Sequence, residues 1–309
     1  MATGSPPPTV VVVDGRELRL TNLDKVLYPA TGTTKAEVVQ YYAAVADAML
    51  PLLRDRPVTR KRWPDGVAAE SFFEKNLPKG TPEWVARMTQ RHTGARSGRG
   101  ERDVVYPLVD DVATLVWLAQ SGALELHAPQ WRVDRATGTP LPPDRLVVDL
   151  DPGSPAGLDE CREVALVARR MLTAHGMPPV AVLSGSQGMQ LYAALPPAND
   201  AGAGVLARAG SPAEYARALG QALERQLPGL VVNEMARDKR PGRVYVDWSQ
   251  NNPAKTTIVP WSLRGRARPT AAVPVPWGDV EAGGLRQLTM HEALDSLQDR
   301  RALLAPLSP

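Results

Sequence analysis

The stretch RLVVDLDPG, residues Arg145–Gly153, decides the fold of this chain. Its run of leucines and valines predicts a buried β-strand, and the proline and glycine that follow end the strand at once. Because alternate side chains of a strand leave the same face, Asp149 and Asp151 are expected to point to the same side. The sequence therefore predicts two neighbouring carboxylates at the end of a buried strand, where a substrate can approach.

Helices and strands are mixed on both sides of this stretch. Downstream, the pattern predicts helices over Leu158–His175, from Ser211-Pro212 to before Pro228 and over about His291–Leu304, with strands over Val180–Leu183, Leu191–Leu195, Val231–Met235, Val244–Trp248 and Thr256–Val259 that complete one sheet. Upstream, it predicts a hairpin around Asp14-Gly15, a helix from Thr34 to about Leu53, a strand within Arg54–Trp63, a mobile basic loop over residues 87–103, a helix over Val112–Gln120 and a strand over Leu124–His127. We expect an α+β (mixed α/β) fold with a central mixed or antiparallel sheet flanked by helices. Residues 1–8 are expected to form a flexible tail and residues 9–309 a single domain.

The composition excludes several classes of protein. A single cysteine, Cys161, rules out an internal disulfide and a cysteine-rich metal cluster, and no apolar run is long enough to span a membrane. The N-terminal residues lack the basic and apolar segments of a secretory signal, so a cytoplasmic protein is expected.

Positive charge is concentrated in four short windows. Arg54–Arg62, Arg87–Arg102, Arg237–Arg243 and Arg264–Arg268 together carry +14, so the rest of the chain must carry −11 to give the net charge of +3. A basic surface on an acidic body is typical of proteins that bind a phosphate backbone. Solvated arginine-rich turns would give the same pattern.

A third aspartate follows another apolar strand. Asp247 stands near the end of VYVDW, residues Val244–Trp248, so three carboxylates can meet at neighbouring strand ends. Such a cluster repels itself unless a cation neutralises it, and carboxylate oxygens suit Mg²⁺ or Mn²⁺. One interpretation is a two-metal site for nucleotidyl transfer. The other is that these aspartates are solvated turn residues, as most aspartates after a strand are.

A turn of small residues joins two of the predicted strands. In Ser184-Gly185-Ser186-Gln187-Gly188, successive backbone N–H groups can form an anion-binding nest, and the serine hydroxyls can add donors. The spacing of a Walker P-loop is absent. A tight hairpin without a ligand explains the same residues, so both interpretations stay open.

Seven segments, in order along the chain, carry a family resemblance. They are TNLDKVLYPATGTTKAE, RPVTRKRWPDG, ESFFEKNLPKG, LELHAPQWR, LVVDLDPG, SGSQGMQLYAAL and DWSQNNPAKTTIVPWSLRGRARPT, and they run over residues 21–270. On these motifs the chain resembles the polymerase domain of bacterial DNA ligase D, in the archaeo-eukaryotic primase superfamily, as a stand-alone primase-polymerase.

The resemblance implies a template-directed polymerase that extends primers from nucleoside triphosphates with Mn²⁺ or Mg²⁺. It implies action at short gaps or DNA ends that bear a 5′-phosphate, in end joining or gap filling, with a preference for ribonucleotides. A separate DNA ligase and Ku are the implied protein partners, and the nucleoid is the implied location.

The resemblance also assigns roles to residues of this chain. It implies catalytic metal ligands at Asp149, Asp151 and Asp247, nucleotide-binding residues at Lys61, His127, Ser184, Gly185, Ser186, Gln187, Gln190, Arg240, Gln250 and Arg264, and DNA-binding residues at Asn22, Lys25, Lys35, Phe72 and Phe73. The two lysines match a 5′-phosphate site, and the phenylalanines match a wedge that stacks on an exposed base pair. Without the motifs, the lysines read as surface residues, His127 as a core histidine, and at least one phenylalanine as buried.

Three functions remain open from the sequence. The first is the polymerase, and the second is a gap- or end-binding repair protein with weak catalysis. The third is a metal-dependent phosphohydrolase or nuclease that uses the same aspartates. A glycosidase is disfavoured, because carboxylates two residues apart on one strand cannot flank a sugar ring.

Two residues of the glycine turn depart from the family motif, which usually reads S-G-S-K-G-x-H. Here Gln187 and Gln190 replace the lysine and the histidine. Because charge-assisted hydrogen bonds are stronger than neutral ones, we expect weaker triphosphate binding than in typical members. Changing Gln187→Lys and Gln190→His together should lower the apparent nucleotide KM in steady-state extension assays. An unchanged KM would contradict this interpretation of the turn.

Overall fold

The computed structural model describes residues 7–92, 102–197 and 203–308 of the chain, as eighteen strands and nine helices. The strands are β1 (Thr9–Val13), β2 (Arg16–Leu20), β3 (Val26–Tyr28), β4 (Thr33–Thr34), β5 (Thr59–Arg62), β6 (Phe72–Glu74), β7 (Arg87–His92), β8 (Arg102–Pro107), β9 (Ala123–Ala128), β10 (Trp131–Val133), β11 (Pro140–Pro143), β12 (Arg145–Pro152), β13 (Val180–Leu183), β14 (Met189–Ala194), β15 (Val231–Val232), β16 (Val244–Val246), β17 (Thr257–Ile258) and β18 (Val273–Val275). The helices are α1 (Lys35–Ala44), α2 (Ala46–Leu53), α3 (Val112–Gln120), α4 (Leu158–Ala174), α5 (Ala203–Ala209), α6 (Pro212–Gln226), α7 (Trp277–Ala282), α8 (Met290–Asp295) and α9 (Leu297–Arg300). Most of the proposed flexible tail, residues 1–6, lies outside the described residues.

A six-stranded sheet forms around β12, in the order β15-β16-β12-β14-β13-β18. Only β15 and β16 run parallel, and the other neighbours are antiparallel. The prediction of a mixed central sheet with helices beside it is therefore confirmed.

Alternate residues of β12 face two different cores. Leu146, Val148 and Leu150 pack in a core that contains buried residues of α4 and α6. Val147 packs on the opposite face, in the core that contains α1, α2 and α3. Asp149 is on the same side of the strand as Val147, so it faces away from α4 and α6.

The second sheet was not predicted. It has the order β17-β9-β5-β6. Its strand β17 comes from the segment Thr256–Val259, which the sequence pattern placed in the central sheet. That prediction was wrong because the chain turns off the sheet after β16, in a 3₁₀ turn over Trp248–Asn251. The side chain of Asn251 then bonds both the N–H and the carbonyl of Val147, at 2.9 and 2.7 Å, and so occupies the strand edge that another strand would need.

Three predicted elements differ in detail. The helix from Thr34 begins with the predicted capping box but divides at Val45 into α1 and α2, and the last helix divides into α8, α9 and a 3₁₀ turn over Arg301–Leu307. Residues 87–92 and 102–103 of the expected mobile loop belong instead to the hairpin β7-β8, and the other residues of that prediction, 93–101, lie outside the described residues. Its apolar side chains at Met88, Val104 and Tyr106 are buried, a period-2 pattern that the many arginines obscured.

None of the helices in the described parts of the chain combines the length and hydrophobicity needed to cross a bilayer. The two sheets meet beside Asp149, where the strands of both contribute side chains to one cavity.

Candidate active site

Three aspartates converge at the ends of β12 and β16. Ligand oxygens of Asp149, Asp151 and Asp247 all lie within 4.8 Å of one another. Asp149 and Asp247 are buried and Asp151 is exposed, so the cluster opens to solvent on one side. The structure thus brings together the three carboxylates that the strand patterns had placed near one another.

Burial and mutual repulsion both disfavour the ionised form of these carboxylates. Burial and the charge of Asp151 raise the pKa of Asp149 well above its usual value, while a hydrogen bond from Gln190 lowers it. Desolvation and the charge of Asp247 likewise raise the pKa of Asp151, and the charges of Arg240 and Arg264 lower it. A bound divalent cation would remove this repulsion, and an all-oxygen donor set is what a hard cation prefers. The residues present therefore fit a divalent metal.

Neighbouring donors fix the orientation of Asp247. Its Oδ1 accepts hydrogen bonds from the backbone N–H and the hydroxyl of Ser249, at 3.1 and 2.5 Å, and its Oδ2 accepts one from Gln250 Nε2 at 2.8 Å. Lys255 Nζ lies 2.6 Å from the Ser249 hydroxyl oxygen and donates to it. Ser249 and Lys255 belong to the motif DWSQNNPAKTT, but no local pattern distinguished them as site residues.

Gln190 is bound to a metal-ligand candidate. The register of β12 and β14 sets Asp149 opposite Gln190, and Gln190 Nε2 donates to Asp149 Oδ1 at 2.9 Å. The Tyr192 hydroxyl lies 3.0 Å from Gln190 Oε1 and 2.7 Å from the carbonyl oxygen of Ile258 in the other sheet. Gln190 is buried on β14, whereas Gln187 is exposed in the turn, so the two glutamines of the motif occupy different environments.

A cavity of about 260 Å³ lies beside the aspartates. Its lining contains most of the expected nucleotide-binding residues, namely His127, Ser184, Ser186, Gln187, Gln190, Gln250 and Arg264, together with Asp149 and Asp151. Four further residues line it that the sequence did not single out: Thr256, Thr257, Ile258 and Arg266. Arg266 Nη2 donates to the Ser186 hydroxyl at 2.5 Å.

Hydrogen bonds to side chains of the protein hold the backbone of the glycine turn. The N–H of Gly185 donates to Gln287 Oε1 at 2.7 Å, and the N–H of Ser186 donates to the Ser184 hydroxyl at 3.2 Å. These two backbone donors are therefore used within the protein, which differs from an open anion nest. Gly185 has a φ of +70°, and a Cβ there would lie 2.7 Å from Ala271 C and from Arg264 Cγ, so the turn needs glycine at this position.

Glu125 was missed from the sequence, although it lies two residues before His127 on β9 and shares its face. Glu125 Oε2 lies 3.0 Å from His127 Nε2 and 3.6 Å from Arg264 Nη1, and Glu125 Oε1 accepts a hydrogen bond from the N–H of Gly265 at 3.1 Å. Burial alone would raise the pKa of Glu125, but these partners together lower it to about 2. Glu125 thus stays ionised and holds His127 and Arg264 in place.

Besides Gly185 of the glycine turn, two expected nucleotide-binding residues, Lys61 and Arg240, do not line this cavity. Lys61 on β5 stands opposite Glu125 in the sheet, and its Nζ lies 4.8 Å from the centroid of the Trp63 ring. The Arg240 guanidinium lies over the Tyr245 ring at 3.8 Å, and its charge acts on Asp151. Both are beside the site, and their assigned roles remain predictions.

A second polar cavity, also of about 260 Å³, contains the expected phosphate-binding residues. Asn22, Lys25 and Lys35 line it together with Arg62 and Gln120. Lys35 Nζ donates to the carbonyl oxygen of Thr21 at 2.9 Å, and Lys25 pairs with Asp65 at 2.6 Å. Burial, followed by the charges of Lys25 and Arg62, lowers the pKa of Lys35 to about 8. An anion in this cavity would relieve that repulsion.

The adjacent phenylalanines are both exposed, at 46% for Phe72 and 55% for Phe73, which excludes the alternative interpretation that at least one of them is buried. They lie on the edge strand β6, next to β5. Phe73 makes an edge contact with His127, with ring centroids 5.8 Å apart. This edge of the second sheet therefore connects an exposed apolar surface to the cavity beside the aspartates.

Comparison with known proteins identifies relatives over nearly the whole chain. Residues 34–304 match the family described as "LigD, primase-polymerase domain". The chain is 45% identical over 291 residues to the multifunctional non-homologous end joining protein LigD of Mycolicibacterium smegmatis. This match covers 94% of this chain and 36% of that protein. It is 30% identical over 266 residues to the bifunctional non-homologous end joining protein LigD of Bacillus subtilis, and this match covers 86% of this chain and 40% of that protein.

The polymerase domain of Mycobacterium tuberculosis ligase D, solved in complex with DNA, is structurally similar. The TM-score is 0.83 at 43% sequence identity, over 94% of this chain and 99% of that one. This match confirms the expected primase-like fold. The chain spans about a third of the length of the mycobacterial relatives that it matches, 36% for the first of them.

The hydrogen bond from Gln190 to Asp149 leads to a test of metal binding. Changing Gln190→Leu removes the donor that stabilises the ionised Asp149, so Mn²⁺ affinity measured by calorimetry without nucleotide should fall by about tenfold or more. The matched control is Gln187→Leu, because Gln187 belongs to the same motif but is exposed in the turn, and this variant should bind Mn²⁺ as the wild type does. Equal affinities for all three proteins would contradict the assigned role of Gln190.

Proposed function

The chain belongs to the LigD primase-polymerase domain family and is a metal-dependent nucleotidyltransferase, and from that premise we propose that it extends primers under the direction of a template at short DNA gaps or broken ends. The observation that carries the proposal is the cluster of Asp149, Asp151 and Asp247 beside a polar cavity that contains two arginines.

The three aspartates are the residues that would hold the metal. We propose Mn²⁺ or Mg²⁺, because these cations accept all-carboxylate sites and keep positions for substrate oxygens. When bound, such a metal activates a primer hydroxyl and neutralises charge on the transferring phosphate. The protein itself contributes the orientation of the carboxylates, which Gln190, Gln250 and Ser249 hold by hydrogen bonds.

The cavity beside the aspartates suits a nucleoside triphosphate. Arg264 and Arg266 supply positive charge to its wall, and Ser184, Ser186 and Gln187 supply neutral donors. His127 and Thr257, on the neighbouring strands β9 and β17 of the second sheet, also line the cavity. We propose that the triphosphate lies along the turn and the arginines, close to the metal ligands.

The DNA contacts proposed here use the second cavity and the phenylalanine edge. Lys25, Lys35 and Arg62 would bind a 5′-phosphate, and Phe72 and Phe73 would stack on the base pair at the edge of the gap. The similar mycobacterial domain was solved in complex with DNA, which supports a DNA substrate.

The proposal also includes a pathway, protein partners and a location in the cell. Because the matched relatives are named as non-homologous end joining proteins, we propose a role in that pathway or in gap filling, alongside a DNA ligase activity and Ku, in the cytoplasm at the nucleoid. We also propose a preference for ribonucleotides.

A second candidate function is a gap- or end-binding repair protein with weak catalysis. The observation that favours it is the neutral glycine turn, in which Gln187 is uncharged and Gln190 is engaged with Asp149. In that case the phosphate cavity and the phenylalanine edge would still bind DNA.

One assay tests the proposal. Gapped DNA with a 5′-phosphate is incubated with Mn²⁺ and either ribo- or deoxynucleotides, and primer length is followed on a gel. The wild type and the control Asp47→Ala, an exposed residue of α2, should extend the primer, whereas Asp149→Ala and Asp247→Ala should abolish extension because the metal loses a ligand.

The other outcomes identify the alternatives. DNA binding without extension by the wild type would support the end-binding protein. Shortening of the primer strand that depends on the aspartates would support a nuclease and overturn the polymerase.

A further inference from the structure

A third cavity lies next to the proposed nucleotide site. It has a volume of about 300 Å³ and is lined mainly by apolar groups, among them Tyr106, Trp131, Pro143, Pro253, Ala254 and Thr256; we call it the proline pocket. Its size is at the lower end of the range for small-molecule sites and is sufficient for one nucleobase. Flat aromatic and proline surfaces of this kind suit a planar ring.

The walls of the proline pocket are held firmly. Trp131 Nε1 donates to the carbonyl oxygen of Pro253 at 2.9 Å, which ties β10 to the segment before β17. Gln130 Nε2 donates to the Thr257 hydroxyl at 3.0 Å, and β10 pairs with β11. The pocket is therefore formed by several elements that are bonded to one another.

Two shared residues place the proline pocket between the other sites. Thr256 lines both this pocket and the nucleotide cavity. Lys75 lines both this pocket and a surface cavity that contains Phe73 and Arg102. A DNA strand that passes from the phenylalanine edge towards the nucleotide cavity would therefore run along the proline pocket.

The rim carries positive charge. Lys75 is half-buried, and burial together with the charge of Arg102 lowers its pKa. A phosphate beside Lys75 would offset both effects, whereas an apolar peptide or a cationic ligand would not. An apolar pocket with a cationic rim is complementary to a nucleotide of a single strand, whose base stacks while its phosphate is neutralised.

We propose that the proline pocket holds an unpaired base of the DNA template strand, next to the position opposite the incoming nucleotide. This inference rests on the proposed polymerase function and adds to it a site for the single-stranded template. Lys75 would bind the phosphate of that nucleotide, and Tyr106 and Trp131 would form the wall against its base.

The test uses DNA binding without catalysis. The probe is a duplex with a recessed 5′-phosphate whose template strand continues as a 3′ overhang, with a single abasic position moved along the overhang. Binding to the wild-type chain should weaken by about tenfold at one abasic position and little at the others, because one base loses its stacking partners.

A pocket-filling variant links that position to this pocket. Ala254→Phe fills the pocket from an exposed position, so it should fold as the wild type does and bind the intact overhang about tenfold more weakly. In this variant the abasic position should have no further effect. The matched control is Ala282→Phe, at an exposed end of α7, which should behave as the wild type.

Several results would overturn the inference. One is an overhang in which no abasic position weakens binding, and another is full binding of the intact overhang by Ala254→Phe. A third is a change in the oligomeric state of the Ala254→Phe variant, which would indicate that a second copy of the chain occupies the pocket. Binding to a blunt duplex distinguishes a failure of this inference from a failure of the proposed function. If the wild type does not prefer a 5′-phosphate to a 5′-hydroxyl on that duplex, the proposed phosphate site fails, whatever the overhang shows.

Discussion

Mutual repulsion among Asp149, Asp151 and Asp247 is the constraint on which the rest of this structure depends. Three carboxylates with oxygens within 4.8 Å of one another, two of them buried, are costly to hold together without a cation. The protein keeps them there by placing Asp149 on a central strand and by surrounding Asp247 with donors. A geometry that disfavours folding without metal is well suited to binding one.

The two sheets divide the work at this site. The six-stranded sheet supplies the carboxylates and the glycine turn, and the second sheet supplies His127 and the exposed phenylalanine edge. Tyr192 bridges them, because its hydroxyl reaches both Gln190 and the carbonyl oxygen of Ile258. Glu125 contacts both His127 and Arg264 and holds them in place. The carboxylate cluster, the cavity beside it and the exposed phenylalanine edge are therefore parts of one bonded framework.

Local patterns predicted the strand with Asp149 and Asp151 because period and spacing are local properties. Gln190 received a different partner from the one expected, since its bond to Asp149 depends on how β12 and β14 register across about forty residues. The charge windows could not separate buried from exposed arginines. Arg56 is buried and paired with Asp144, whereas Arg266 lines the cavity beside the aspartates, although both belong to windows of similar charge.

The most direct measurement of the central claim is anomalous diffraction at the manganese absorption edge from crystals grown with Mn²⁺. It locates the metal without reference to activity. The carboxylate cluster predicts an anomalous peak bounded by oxygens of Asp149, Asp151 and Asp247, at coordination distance. A fully occupied manganese site elsewhere, with no peak among these three aspartates, would contradict it.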